Sequence, residues 1–243
     1  CEVGLPDSCV IYDVSNACLG VLNGIVQVAN MIELGQIEAG LVVGTEDGRQ
    51  LVDTTIDWLN AQETLTRSQI KLAVASLTIG SASCAVLITN ERLSSTGNQL
   101  HNATIQTNTT HHRLCHSGRD EAAGDGMKPL METDSEQLMN EGIETGEATF
   151  QQFLHDLDWL HDDVHKTVCH QVGGIHRKLM LERLGLNPDN DYPTFPWLGN
   201  TGSVALPITL ALALEGGNIE PEENVALLGI GSGINCLMMG VEW

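Results

Sequence analysis

Apolar positions along the chain alternate between short continuous runs and helically spaced stretches, the signature of a mixed α/β fold. Cys9–Val14 is a β-rich run, and Ser15 and Asn16 behind it are good helix-capping residues. A long apolar helix is predicted from there to about Leu34, with Gly35 as its stop. Ala39–Gly44 is uninterruptedly apolar and predicts a strand covered on both faces. Helical spacing follows over Thr66–Leu77, and Ser83–Thr89 predicts another strand. From about Ser94 to Asp134 the chain is polar and His-rich, predicting loop or insertion around one strand at Ala103–Thr107.

Beyond that segment the same grammar returns. Glu136–His161 predicts a helix, Lys166–Cys169 a strand, Gly174–Leu184 a helix, and Thr201–Leu214 an apolar helix opened by Asn200. Asn224–Gly229 and Ile234–Val241 predict two strands joined by Gly231-Ser232-Gly233. Gly40–Gly44 and Gly80–Ile88 echo Ala226–Gly229 and Gly231–Met239, which points to a duplicated α/β unit. The boundary expected between the halves puts 1–93 in one and 94–243 in the other, with a loop-rich insertion near 109–134.

Composition narrows the partners. The net charge is −21 and nothing basic is clustered, which disfavours nucleic acid and makes docking to an acidic carrier protein harder. The longest apolar run, Ala17–Met31, is broken by Gly20, Asn23, Gly24, Gln27 and Asn30, short of the roughly 18–20 apolar residues a bilayer span needs. Seven irregularly spaced cysteines, mostly within apolar runs, fit reduced thiols of a cytoplasmic protein. No basic-then-apolar leader opens the chain, so no secretory signal is expected, and the Asn102 and Asn108 sequons read as chance. Cys1–Pro6 looks like the end of a helix stopped by Gly4, so an N-terminal part is expected to precede it.

Three residues stand at junctions where chemistry is usually placed. Cys18 lies where a strand turns into a helix, and a thiol in a first helical turn has its pKa lowered by free N–H groups and the helix dipole. His170 follows a buried strand and precedes a helix, at the sheet edge where α/β proteins bind ligands. Asn200 opens a third such junction, where it could equally act as an N-cap. His111, His112, Cys115 and His116 fit no standard zinc spacing and predict a solvated loop, so no metal is expected. His155, His161 and His165 read as surface residues near a helix end. Gly229–Gly233 lacks the helix and acidic residue of a dinucleotide loop, and the signature of papain-like proteases is missing around Cys18.

Asp13–Gly20, His170-Gln171-Val172, Gly199–Ser203 and Leu228–Gly233 resemble, in order and spacing, the four signature blocks of β-ketoacyl synthase III-like condensing enzymes of the thiolase superfamily. Within them the likeness is greatest to the acyl-CoA condensing enzymes that open bacterial olefin biosynthesis, whose second histidine matches His176. The resemblance implies a five-layered αβαβα fold of two related halves, a homodimer, and Claisen condensation of acyl thioesters through acyl-Cys18. No cofactor is implied beyond coenzyme A thioester substrates. Cys18 N–H and Ser232, in the Gly231–Gly233 loop, would hold one oxyanion, and His170 and Asn200 the enolate oxygen. The base that deprotonates a second acyl-CoA would precede Cys1.

Synthase III enzymes that use malonyl on an acyl carrier protein often carry an arginine where this chain has Ile175. That tilts the reading to two acyl-CoAs, with His176, Arg177 and Lys178 as possible substrate-entrance residues. The alternatives are a malonyl-carrier-dependent synthase and a non-catalytic relative.

Overall fold

The computed structural model describes residues 4–117 and 131–243. Its elements, in chain order, are α1 (Gly20–Glu33), β1 (Ala39–Glu46), α2 (Arg49–Asn60), α3 (Arg67–Ala73), β2 (Ala82–Thr89), β3 (Gln99–Thr107), β4 (Cys115–Ser117) and β5 (Met131–Thr133). The second part continues with α4 (Ser135–Leu157), β6 (Lys166–Cys169), α5 (Gly174–Leu184), α6 (Phe195–Leu198), α7 (Ala205–Glu215), β7 (Asn224–Gly231) and β8 (Asn235–Glu242).

A mixed sheet of order β3-β8-β7-β6 carries the second half; β6 and β7 run parallel, and the other pairs are antiparallel. β1 and β2 form a separate antiparallel pair. α1 and α7 lie between the two sheets: Val21, Leu22, Ile25 and Leu206 share a core with Val168, Val225, Leu227 and Leu237 on one side and Val42 and Val86 on the other. α4 and α5 cover the opposite face of the larger sheet through Phe150, Phe153, Met180 and Leu181. The layering is therefore helix, sheet, helix, sheet. Each half pairs a helix with two antiparallel strands that follow it, α1 with β1 and β2 and α7 with β7 and β8, although α2 and α3 separate the first two strands.

Several expectations need correction. Cys9–Val14 forms no strand: no neighbouring strand among the described residues pairs with it, and Val10 and Ile11 are exposed. β1 is covered on one face only, since Leu41 and Val43, with Leu87 on β2, point away from α1 and are exposed. The polar run from 94 holds more structure than expected. β3 spans nine residues as an edge strand whose outer positions stay wet, and β4 pairs with β5. Residues 118–130 of the expected insertion lie outside the described residues, as do Cys1–Val3.

α2 escaped the sequence reading although Leu51, Val52, Ile56 and Leu59 are helically spaced, and only Thr55 of it is buried. α4 stops at Leu157, before the predicted His161, because Asp158 takes a left-handed conformation at φ 54°. No helix among the described residues is long and apolar enough to cross a membrane.

Candidate active site

Cys18 sits in a tight turn ahead of α1, not inside its first turn. Leu19 N–H and Gly20 N–H donate back to the carbonyls of Asn16 and Ala17, and Ala17 adopts φ 42°. A left-handed alanine costs roughly 1–2 kcal/mol, so surrounding contacts must hold the turn. They are visible. Asn16 donates to Asn23 Oδ1 (2.7 Å) and accepts from Asn235 Nδ2 (3.3 Å), which also donates to the Ser232 carbonyl (2.8 Å). Thr107 on β3 closes the chain by donating to Asn235 Oδ1 (2.9 Å). The nucleophile turn and the Gly231–Gly233 loop are thus tied through two asparagines.

Gly231 lies against the same turn: a Cβ there would come within 3.6 Å of both Cys18 Cβ and Cys18 N. Gly233, by contrast, packs on Asn235 and does not line the pocket that holds Cys18.

His170 ends β6, and its N–H donates to the Leu228 carbonyl (2.9 Å). Both flanks of the histidine are anchored. Before it, Cys169 N–H and Thr167 Oγ1 donate to Asp191 Oδ1, each at 3.1 Å. After it, Gln171 Oε1 accepts from Thr194 and Phe195 N–H (3.0 Å each), and its Nε2 donates to the Tyr192 carbonyl (2.7 Å).

Asn200 is five residues ahead of α7 and is not that helix's N-cap, which is Val204. A short parallel bridge sets it instead: Asn200 N–H donates to the Thr78 carbonyl (2.9 Å), and Gly80 N–H donates to the Asn200 carbonyl (2.8 Å). A Cβ on Gly80 would fall 1.8 Å from the Leu198 carbonyl oxygen, so glycine is obligatory beside Asn200. Asn200 Oδ1 takes the Gly202 N–H (3.0 Å), which turns the amide NH2 outward as a donor, an orientation inferred from the network. Glu46, at the end of β1, accepts from Ser203 N–H (3.1 Å) and Ser203 Oγ, pinning the same loop to the other half.

These elements bring Cys18, His170, Asn200, Ser203, Gly231 and Ser232 to the wall of one pocket of about 1540 Å³. His170 is 2% exposed, and burial, with His176 nearby, pushes its pKa down to about 3. Burial also pushes His176 down to about 4. Both imidazoles are therefore neutral at pH 7. The Cys18 thiol is pushed up to about 12 by burial, with Cys115 and Glu46 adding to the rise and the backbone N–H groups opposing it. The lowering expected from a helix N-terminus is outweighed, since the turn puts Cys18 ahead of α1 and inside the protein.

The two histidine shifts predict how stability depends on pH. An unfolded histidine titrates near 6.5. Between that value and the folded values of about 4 and 3, the unfolded chain binds up to two more protons than the folded one. Their contribution is fully present above pH ~6.5 and is lost progressively as pH falls to about 3. Urea unfolding at pH 7, 5.5 and 4.5 should show this loss in the wild type and a shallower one in the double variant His170→Asn/His176→Asn. Identical slopes would refute the assignment.

The other sequence candidates fall apart from this centre. The Arg177 guanidinium is committed to Asp191 and to the carbonyls of Pro188 (2.8 Å) and Asp191 (2.9 Å), so it does not face substrate as expected. Lys178 is exposed and does not line the pocket, whereas His176 is buried beneath it. His111 meets Glu141 (3.1 Å) and His112 meets the Thr109 carbonyl (3.0 Å); the His116 side chain lies outside the described residues. No cluster that could hold a metal forms among the described residues. His155, His161 and His165 are exposed, as expected, although His161 Nε2 meets the Leu184 carbonyl (2.7 Å) and its ring packs edge-on against Phe150. Asn16, Glu46, Asn235 and Asp191 were missed. Asn16 and Asn235 sit inside motifs already singled out, but nothing in the sequence marks Glu46 or Asp191 as partners of distant loops.

Residues 12–108 match the 3-oxoacyl-[acyl-carrier-protein (ACP)] synthase III family, and residues 154–243 match the C-terminal family of the same enzymes. An acyl-CoA:acyl-CoA alkyltransferase of Shewanella oneidensis is 43% identical over 244 residues, covering 99% of this chain and 69% of that protein. The chain belongs to the synthase III-like condensing enzymes. These are acyltransferases of the thiolase superfamily, and the layered, duplicated architecture above is theirs. A second condensing enzyme of this type, the acyl-CoA:acyl-CoA alkyltransferase of Xanthomonas campestris, is 30% identical over 242 residues, covering all of this chain and 69% of its own. A crystal structure of Xanthomonas campestris OleA with bound lauric acid and lauroyl-CoA superposes with a TM-score of 0.90 at 29% identity, over 100% of this chain and 69% of that one.

Proposed function

We propose that this condensing enzyme joins two fatty acyl-CoAs to a β-keto product through an acyl-Cys18 intermediate. The observation that carries the reading is the meeting of Cys18, His170 and Asn200, from three distant segments, on one pocket wall, with Gly231 packed on the cysteine. The names of the two alkyltransferases above support acyl-CoA as both donor and acceptor.

In the first half-reaction the Cys18 sulfur attacks the thioester carbonyl, the bond to CoA sulfur breaks, and the thiol proton ends on the departing CoA. Cys18 N–H and Ser232 N–H are the donors assigned to the tetrahedral oxyanion, worth about 3–4 kcal/mol for a well-placed donor. In the second half-reaction the α-carbon of another acyl-CoA loses a proton and attacks the acyl-Cys18 carbonyl, returning the thiol. His170 and the Asn200 amide stabilise the enolate oxygen. A histidine held neutral suits this task, because it donates a hydrogen bond without delivering its proton to the carbanion.

Ile175 stands exposed at the start of α5 where carrier-dependent enzymes often place an arginine, which supports CoA substrates over a carrier protein. Cysteines described without disulfides fit a reducing cytoplasm, and the exposed face of Leu41, Val43 and Leu87 fits burial in a homodimer. The test is a product assay on the full-length protein, comparing two acyl-CoAs with acyl-CoA plus malonyl-carrier protein. β-Keto product from acyl-CoA alone is expected; product only with the malonyl donor would replace this reading.

A further inference from the structure

Beside the imidazole of His170 lies a second, small space of about 10 Å³, lined among others by Gly146, His170, His176, Met180, Ile230 and Met238. That is about the smallest volume that holds one water molecule. His170, His176 and Ile230 border both this space and the large pocket, so the two imidazoles stand between them. Both of its ring nitrogens, and Nδ1 of His176, are enclosed and have no hydrogen-bond partner among the described residues. Buried polar groups are rarely left so, and a neutral imidazole needs one acceptor partner for its N–H and one donor for its bare nitrogen. The reading of His170 as the enolate donor assigns one of its nitrogens to substrate; the other, here called the inner one, has no partner from the protein among the described residues.

We propose that His176 is a positioning residue that holds a single water against the inner nitrogen of His170. The water donates one O–H to that nitrogen, which keeps it unprotonated and so places the ring proton on the nitrogen facing the pocket. The neutral His170 is thereby locked in the one tautomer that can donate to an enolate oxygen. His176 binds the same water through Nδ1. The surroundings favour this division of work: His176 is 8% exposed, and the neighbouring Arg177 is turned away to Asp191. The small volume excludes a second water or an ion with its shell. Gly146 helps keep it open, because a Cβ there would press within 3.0 Å of Met180 Cε, which shares the space.

The inference rests on the reading of His170 as the enolate donor. It is tested on the full-length enzyme with His176→Leu and His176→Asn. His176→Leu should lower the condensation rate about 10- to 100-fold, the usual cost of losing such a supporting group. Acylation of Cys18, read by intact mass, should stay within about twofold of wild type. His176→Asn, whose amide can still hold a water, should recover most of the loss.

Equal loss of both half-reactions, an unchanged condensation rate, or no recovery with asparagine would each overturn the proposal. A crystal structure of the wild type at about 1.5 Å provides a reading that does not depend on the variants. Water density within hydrogen-bond reach of both imidazoles is expected, and dry or protein-filled density there would refute the lock. Failure of wild type to condense two acyl-CoAs counts instead against the substrate reading, which the water density does not touch.

Discussion

Cys18→Ala, incubated with a long-chain acyl-CoA and weighed intact, should show no covalent adduct, whereas wild type gains one acyl group. The variant removes the sulfur assigned to carry the intermediate, so the expected loss is complete rather than graded. Folding should survive, because one sulfur leaves a small void and the asparagine network around the turn runs through Asn16 and Asn235, not through the thiol. The thermal midpoint should therefore stay within a few degrees of wild type, corresponding to roughly 1 kcal/mol. An adduct persisting on the variant would move the nucleophile elsewhere, with Cys115 as the first candidate, since it lines the same pocket.

His170→Ala should separate the two half-reactions. Among the described residues no hydrogen bond ties the imidazole to the Cys18 turn, and its pKa of about 3 leaves it neutral at pH 7. Acylation should proceed. Condensation should fall about 10²- to 10³-fold, the range for removing one donor from an oxyanion site. Product formation and CoA release, followed separately from the adduct mass, read the two steps. Condensation at the wild-type rate would contradict the placement of His170 at the enolate.

Much of this site was legible as residue types at junctions. A strand-to-helix turn with small neighbours singled out Cys18, a buried strand running into His170 marked the sheet edge, and Gly199-Asn200-Thr201-Gly202 marked the third loop. Local chemistry at those turns does not depend on distant sequence. The protonation states were not legible. The sequence predicts a lowered Cys18 pKa from helix geometry, but the turn at Ala17 delays α1 to Gly20 and burial raises the pKa instead. His176, Arg177 and Lys178, adjacent in sequence, were grouped as an entrance. On α5 they point in different directions: one to the site, one to Asp191 and one to solvent.

The chain by itself determined its alternating elements, its repeated helix and strand pair, and the three side chains proposed as reactive, because each is written in spacing and turn chemistry over a few residues. Tertiary structure alone decided which loops lock together: Asn16 to Asn235, Glu46 to Ser203, Asp191 to the end of β6, and Gly80 beneath Asn200. It also decided that β3 begins at Gln99, ahead of the strand expected at Ala103–Thr107, because pairing with β8 extends an edge strand into polar sequence. Hydrogen bonds between residues distant along the chain leave no local period to read, and burial, the leading cause of the shifts at Cys18, His170 and His176, is a property of the packed layers and not of any segment.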